Sequence, residues 1–264
     1  MMKKCLNLIL FCCLILGLSS CKNSEKKKLP DKTTRESIVP FETIPSFQIL
    51  LTNVDPAKLD ALRLQPEKRS LADIKDPLKQ AFWQGVKTAQ LLIANKAGND
   101  KAAQELYPDV VNNARISLNL EAKEKYLMQL GGYYRSGNKE KLDTSYDQLK
   151  KRIESDLWEL NEHELYTVTI LGEWCEATRI LAQLFSSSPA VHTTYIDNDA
   201  WKLIEQNLAQ IKKEPFAKSD AVKQSRVKAE KLGSVMRSAL EGKYDPASID
   251  QLIKLADEIG TLYR

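Results

Sequence analysis

One stretch crowds chemistry-bearing residues into about two helical turns: Gly172-Glu173-Trp174-Cys175-Glu176-Ala177-Thr178-Arg179. On a helix Glu173 and Glu176 share a face, and Glu176 and Arg179 are spaced to pair along it. A glycine inside a strong helix costs about 1 kcal/mol against alanine, so Gly172 predicts close approach by another helix or by a ligand. The simpler reading is a crowded helix crossing, with the glutamates on flanks that reach solvent or an arginine. The functional reading is a groove between helices, lined by Glu173, Trp174 and Glu176, that takes a polar ligand or a peptide. In a hydrolase the same carboxylates would carry an atypical site.

The other reactive residues have weaker settings. A nucleophilic thiol needs a neighbouring base and a lowered pKa. His163 precedes Cys175 by twelve residues, roughly 18 Å along a helix, so a buried, inert thiol is expected. The second histidine is His192. In Glu159-Leu160-Asn161-Glu162-His163-Glu164, an unbroken helix would put Glu159 and His163 on one face, as at the start of a metal site. Di-metal bundles use Glu-x-x-His on two helices. Here the spacing is one residue longer, Asn161 reads as a helix cap, and no second copy exists. Solvated helix-end residues are expected there, with no metal and no cofactor. Gly131-Gly132-Tyr133-Tyr134 lacks the strand-then-helix context of a phosphate loop. No Gly-x-Ser-x-Gly, His-Glu-x-x-His or paired Cys-x-x-Cys occurs. No catalytic residue is assigned.

The N-terminus carries a different chemistry. Lys3 and Lys4 precede an apolar block from Leu6 to Leu18, followed by Ser19-Ser20-Cys21. The block is shorter than the about 20 residues needed to cross a bilayer, and its layout is that of a secretory signal. Leu18-Ser19-Ser20-Cys21 resembles the lipobox of bacterial lipoproteins, whose cysteine thiol receives a diacylglyceryl group before cleavage on its N-terminal side. The resemblance covers about the first 21 residues. It implies a leader over residues 1–20, lipid on Cys21, and a chain held at a membrane by acyl groups, two of which anchor stably. An aspartate after the lipidated cysteine resembles the inner-membrane retention signal of enteric bacteria. Lys22 stands there instead, which implies the outer membrane, facing the periplasm, in a host with two membranes. Lys22, Lys26, Lys27 and Lys28 would lie at the headgroups or in a solvated tether.

Composition narrows the remainder. Without Lys3 and Lys4 the net charge of +4 becomes +2, a balanced mixture with no clustered basic face. That argues against nucleic-acid binding. Removal of residues 1–20 reduces five cysteines to Cys21 and Cys175, so an apolar core must stabilise the domain without a disulfide.

The residues that could do chemistry must therefore be positioned by helices. Residues 21–45 are polar, with Pro30, Pro40 and Pro45, and read as lipidated cysteine plus flexible tether. Asp55-Pro56, Asp76-Pro77 and Asp245-Pro246 each pair an N-cap with proline at the first helical position. Leu78, Phe82, Val86, Ala89 and Ile93 recur at helical spacing. The segment from Asp100 to Asn119 is weaker, and Pro108 predicts a split into two pieces. Helices are expected over 121–135 and along the seam Leu142, Tyr146, Leu149, Ile153, Leu157 and Leu160. A further helix follows Asn161 and ends at Ser186-Ser187-Ser188-Pro189, before a loop to Asp197. Helices over 198–213, 220–240 and from Pro246 complete the chain. The expected fold is an all-α, antiparallel bundle of about seven to eight helices, forming one domain over 46–264. The expected function is non-catalytic: binding of an envelope protein or a small ligand, or a structural envelope role, at a lipid anchor.

Overall fold

The computed structural model describes residues 41–51, 54–62, 66–117, 163–187, 199–240 and 245–264, with scattered positions between 132 and 148. They form an all-α, antiparallel bundle of about seven helices with no strand among the described residues. The α-helices are α1 (Pro56–Ala61), α2 (Pro77–Ala97), α3 (Asp100–Ser117), α4 (His163–Ser187), α5 (Asp199–Ala209), α6 (Asp220–Leu240) and α7 (Pro246–Leu262). Short 3-10 turns lie at Phe47–Leu51, Leu71–Asp73 and Phe216–Lys218.

The three Asp-Pro pairs start helices for a local reason. Asp55, Asp76 and Asp245 have extended backbones, and their carboxylates accept the N–H groups of Ala57, Lys79 and Ser248 at 2.9, 3.0 and 2.6 Å. The following proline supplies helical φ and lacks the N–H that a first turn cannot use. At its other end α2 closes on Gly98, whose φ of 74° suits glycine.

Pro108 does not divide its segment: α3 runs unbroken through it. The lost backbone bond is tolerated because packing holds both sides of the proline. Leu106 before it and Val110 after it enter a small apolar cluster with Leu91 and Ala94 of α2, and the Val110 carbonyl accepts Gln84 Nε2 at 3.2 Å. Residues 41–45, assigned above to the tether, pack on the domain. Ile44 is buried, and Glu42 exchanges two 2.8 Å hydrogen bonds with the Asn207 side chain. Apart from helical positions at 132–133, 144–145 and 148, the expected helices over 121–135 and 142–160, with the Asn161 cap and the loop to Asp197, lie outside the described residues.

The bundle is organised round α2 and α4, which make its most extensive pairing. Both are buried on nearly all sides, as befits central helices. α7 packs on α4, α6 on α7 and α5, and α3 covers the outer side of α2. The closest approach is made by two glycines facing one another's backbones. A Cβ on Gly85 would lie 1.9 Å from the Thr169 carbonyl oxygen, and one on Gly172 would lie 2.1 Å from that of Phe82. Neither position admits a side chain. The aromatic packing beside the crossing depends on this spacing. Phe82 stacks on Tyr263 at 4.4 Å, Trp83 Nε1 donates to the Tyr263 carbonyl at 2.9 Å, and Ser225 Oγ meets the Tyr263 hydroxyl at 3.2 Å.

Gly85→Ala and Gly172→Ala are each expected to lower unfolding free energy by about 3 kcal/mol or more, since a backbone carbonyl must move. Gly260→Ala, on α7 where a Cβ meets nothing within 4 Å, is expected to raise it by up to about 1 kcal/mol. Urea melts of the three variants check both signs.

Candidate functional site

Glu176 sits on α4, four residues past the glycine of the crossing, and is 6 % exposed. A carboxylate withdrawn from water stays charged only if donors replace the water. Three bonds do so. Arg179 Nε donates to Oε2 at 2.8 Å, Arg179 Nη2 to Oε1 at 2.6 Å, and Gln90 Nε2 of α2 to Oε1 at 2.9 Å. Gln90 in turn accepts the Glu67 backbone N–H at 3.1 Å. Burial works against the Arg179 charge, but the Glu176 carboxylate, with Asp257 assisting, outweighs it and raises the pKa.

This network borders an open cleft of about 480 Å³ among α2, α4, α7 and residues 66–68. Trp83, Val86 and Ala256 give it apolar lining, while Lys68, Asp257 and Arg264 add charge. Cys175 forms part of the wall. Burial, then the charges of Glu176 and Asp257, push its thiol well above the ordinary range, so it stays protonated, as an inert thiol does.

The three expected groove residues separate. Glu176 lines this cleft. Glu173 is buried, and its backbone nitrogen lies at the Gly85 crossing. Trp174 is wholly buried in the core: its Nε1 donates to the Pro45 carbonyl at 3.1 Å and its ring meets Trp201 edge-on at 6.2 Å. The i,i+3 spacing gave the Glu176–Arg179 pair. Gln90, Glu67 and Asp257 come from distant segments, and nothing local in the sequence marks them.

A second cleft, about 910 Å³, lies between residues 66–70 and α3. Lys87, 4 % exposed, reaches Asp109 at 2.5 Å, and Asp109 also accepts the Leu71 N–H and the Ser70 hydroxyl at 3.2 and 3.3 Å. Its charges thus fasten the start of the Leu71–Asp73 turn.

His163 and Glu164 are not solvated helix-end residues: both are buried, and the His163 ring lies 5.0 Å from that of Phe41. Phe41, folded onto the domain, is part of the cover over His163. Burial lowers the His163 pKa, with Glu164 partly opposing. Among the described residues no cluster of three or more metal-binding side chains occurs, and no helix is long and apolar enough to cross a membrane. Comparison of the chain with protein-family models, curated proteins and solved structures finds no match in any of the three.

Arg179→Met leaves Glu176 buried with one donor, and a loss of about 2–3 kcal/mol is expected; the partial exposure of Arg179 keeps it below that of a fully buried pair. Adding Glu176→Gln should restore part of it, as a double-mutant cycle by chemical denaturation would register. For His163 the folded pKa lies below the ordinary 6.5, so the unfolded chain binds the proton first. Its contribution is present above about pH 6.5 and is lost as pH falls through the folded value. Between pH 7.5 and 5, the melting temperature of His163→Phe should therefore drop less than that of the wild type.

Proposed function

We propose that this chain is an extracytoplasmic lipoprotein, held at a membrane through lipid on Cys21, whose helical domain binds a small polar ligand without catalysing a reaction. The observation that carries the ligand reading is the convergence of Gln90, Glu176 with Arg179, and Asp257, from three different helices, on one open cleft. Its volume of about 480 Å³ falls in the range of small-molecule sites, about 300–1,000 Å³.

Two observations favour this over the rival roles. Glu176 is committed to Arg179 and Gln90 by three hydrogen bonds, an arrangement that suits a structural anchor better than a hydrolytic carboxylate free to reach a substrate. Among the described residues Val227 is the one large apolar side chain that stands exposed, whereas a protein-docking face usually offers a contiguous apolar patch. The membrane attachment rests on Ser19-Ser20-Cys21 and the short apolar block before it.

Intact-mass analysis of protein from the native membrane should find a chain beginning at an acylated Cys21. Cys21→Ala should be unprocessed or released from the membrane fraction. Recovery of unmodified Met1–Ser20 on protein in the cytosolic fraction would refute the anchor. The ligand is sought separately, by denaturing purified protein and identifying the released small molecules by mass spectrometry.

A further inference from the structure

An arginine side chain presents two hydrogen-bonding forks. Glu176 occupies the side-on fork of Arg179, formed by Nε and Nη2. The end-on fork, Nη1 with the second Nη2 hydrogen, has no partner among the described residues, although Arg179 lines the cleft. Its plane is fixed by the bidentate pair, so the open fork is held ready for a carboxylate.

Asp257 of α7 lines the same cleft. It is exposed and close enough for its charge to act on Arg179, yet among the described residues its carboxylate forms neither a hydrogen bond nor an ion pair. A fixed cation and an unpaired anion thus border one space. Glu176 is hydrogen-bonded at both oxygens, and the Glu67 carboxylate accepts the Arg69 N–H at 3.0 Å. Lys68 and Arg264 add positive charge at the rim, while Trp83, Val86 and Ala256 supply apolar wall.

We propose, resting on the cleft reading above, that the ligand is a small zwitterion of the free amino acid or dipeptide class with an apolar side chain. Its carboxylate meets the open fork of Arg179, its ammonium meets Asp257, and its side chain lies against Trp83 and Val86. Such a molecule offers one group of opposite charge to each of these two side chains.

The test is calorimetric titration of the full lipidated chain in detergent. L-leucine and L-leucyl-L-leucine serve as zwitterionic probes, N-acetyl-L-leucine and L-leucinamide as analogues lacking one charge. At least one zwitterion should bind, and each single-charge analogue should bind at least tenfold more weakly. Asp257→Asn should weaken binding of that zwitterion at least fivefold and leave N-acetyl-L-leucine unchanged. Gly260 lines the cleft where a Cβ would meet no atom within 4 Å, so Gly260→Leu should fill the space and abolish binding without lowering the melting temperature. Absence of binding by both zwitterions, equal affinity for N-acetyl-L-leucine, or unchanged binding by Gly260→Leu would each overturn the proposal. If neither zwitterion binds, but another small molecule is released from wild-type protein and not from Gly260→Leu, the cleft reading stands and the zwitterion assignment fails. If no small molecule is released and none binds, both fail.

Discussion

The constraint on which the remaining structure depends is the backbone-to-backbone contact of α2 and α4. Gly85 faces the Thr169 carbonyl and Gly172 faces the Phe82 carbonyl, so each glycine meets the residue three positions before the other. Helices that meet through their side chains usually lie 8–10 Å apart, and removing Cβ on both lets them come closer. The contact also fixes register. Gln90 lies five residues beyond Gly85 and Glu176 four beyond Gly172, and their 2.9 Å hydrogen bond forms only if the crossing is held at these positions. The polar edge of the cleft is therefore a consequence of how tightly two central helices approach.

Central helices are usually apolar, and these are not. α2 buries Gln84, Lys87, Thr88 and Gln90, and α4 buries Thr167, Glu173, Glu176 and Thr178. An ion pair withdrawn from water contributes little net stability, because desolvation offsets most of its attraction. Its effect is geometric. Lys87 with Asp109 fastens the Leu71 turn, and Gln90 fastens Glu67. The connection between α1 and α2 is thus held against the central helices by polar groups, and both clefts open beside it. Charges that add little to folding leave two bordered spaces with oriented donors and acceptors.

What could be read in advance follows the range of each signal. Helix starts at Asp-Pro and the seam from Leu78 to Ile93 are local patterns, and the structure has both. Gly172 was legible as a close approach because it interrupts a strong helix. Gly85, between Phe82 and Val86, makes an equally close approach, but the apolar spacing round it accounts for the helix without it, so nothing local marks it. Pro108 misled because its cost is local while the packing of Leu106 and Val110 that offsets it is not. The same holds for the site. The Glu176–Arg179 pair lies within one turn, whereas Gln90 is 86 positions from Glu176 and nothing in either neighbourhood announces the other.

The crowded stretch on α4 owes its unusual composition to serving a different neighbour at each position. Gly172 and the Glu173 backbone meet α2 at the crossing. Trp174 turns to Trp201 of α5 and to the Pro45 carbonyl, and Cys175 and Glu176 turn to the cleft. Successive helical residues are about 100° apart, so Trp174 and Glu176 stand on nearly opposite sides of one helix. One side is sealed by residues 41–47, with Phe41 on His163 and Glu42 on Asn207; the other carries the open fork of Arg179. A helix occupied on three sides by backbone and aromatic packing has little freedom to rotate. The Arg179 fork is consequently held in place by contacts that never touch the cleft, and rigid placement of a donor before its partner arrives is what allows a small site to bind with few contacts.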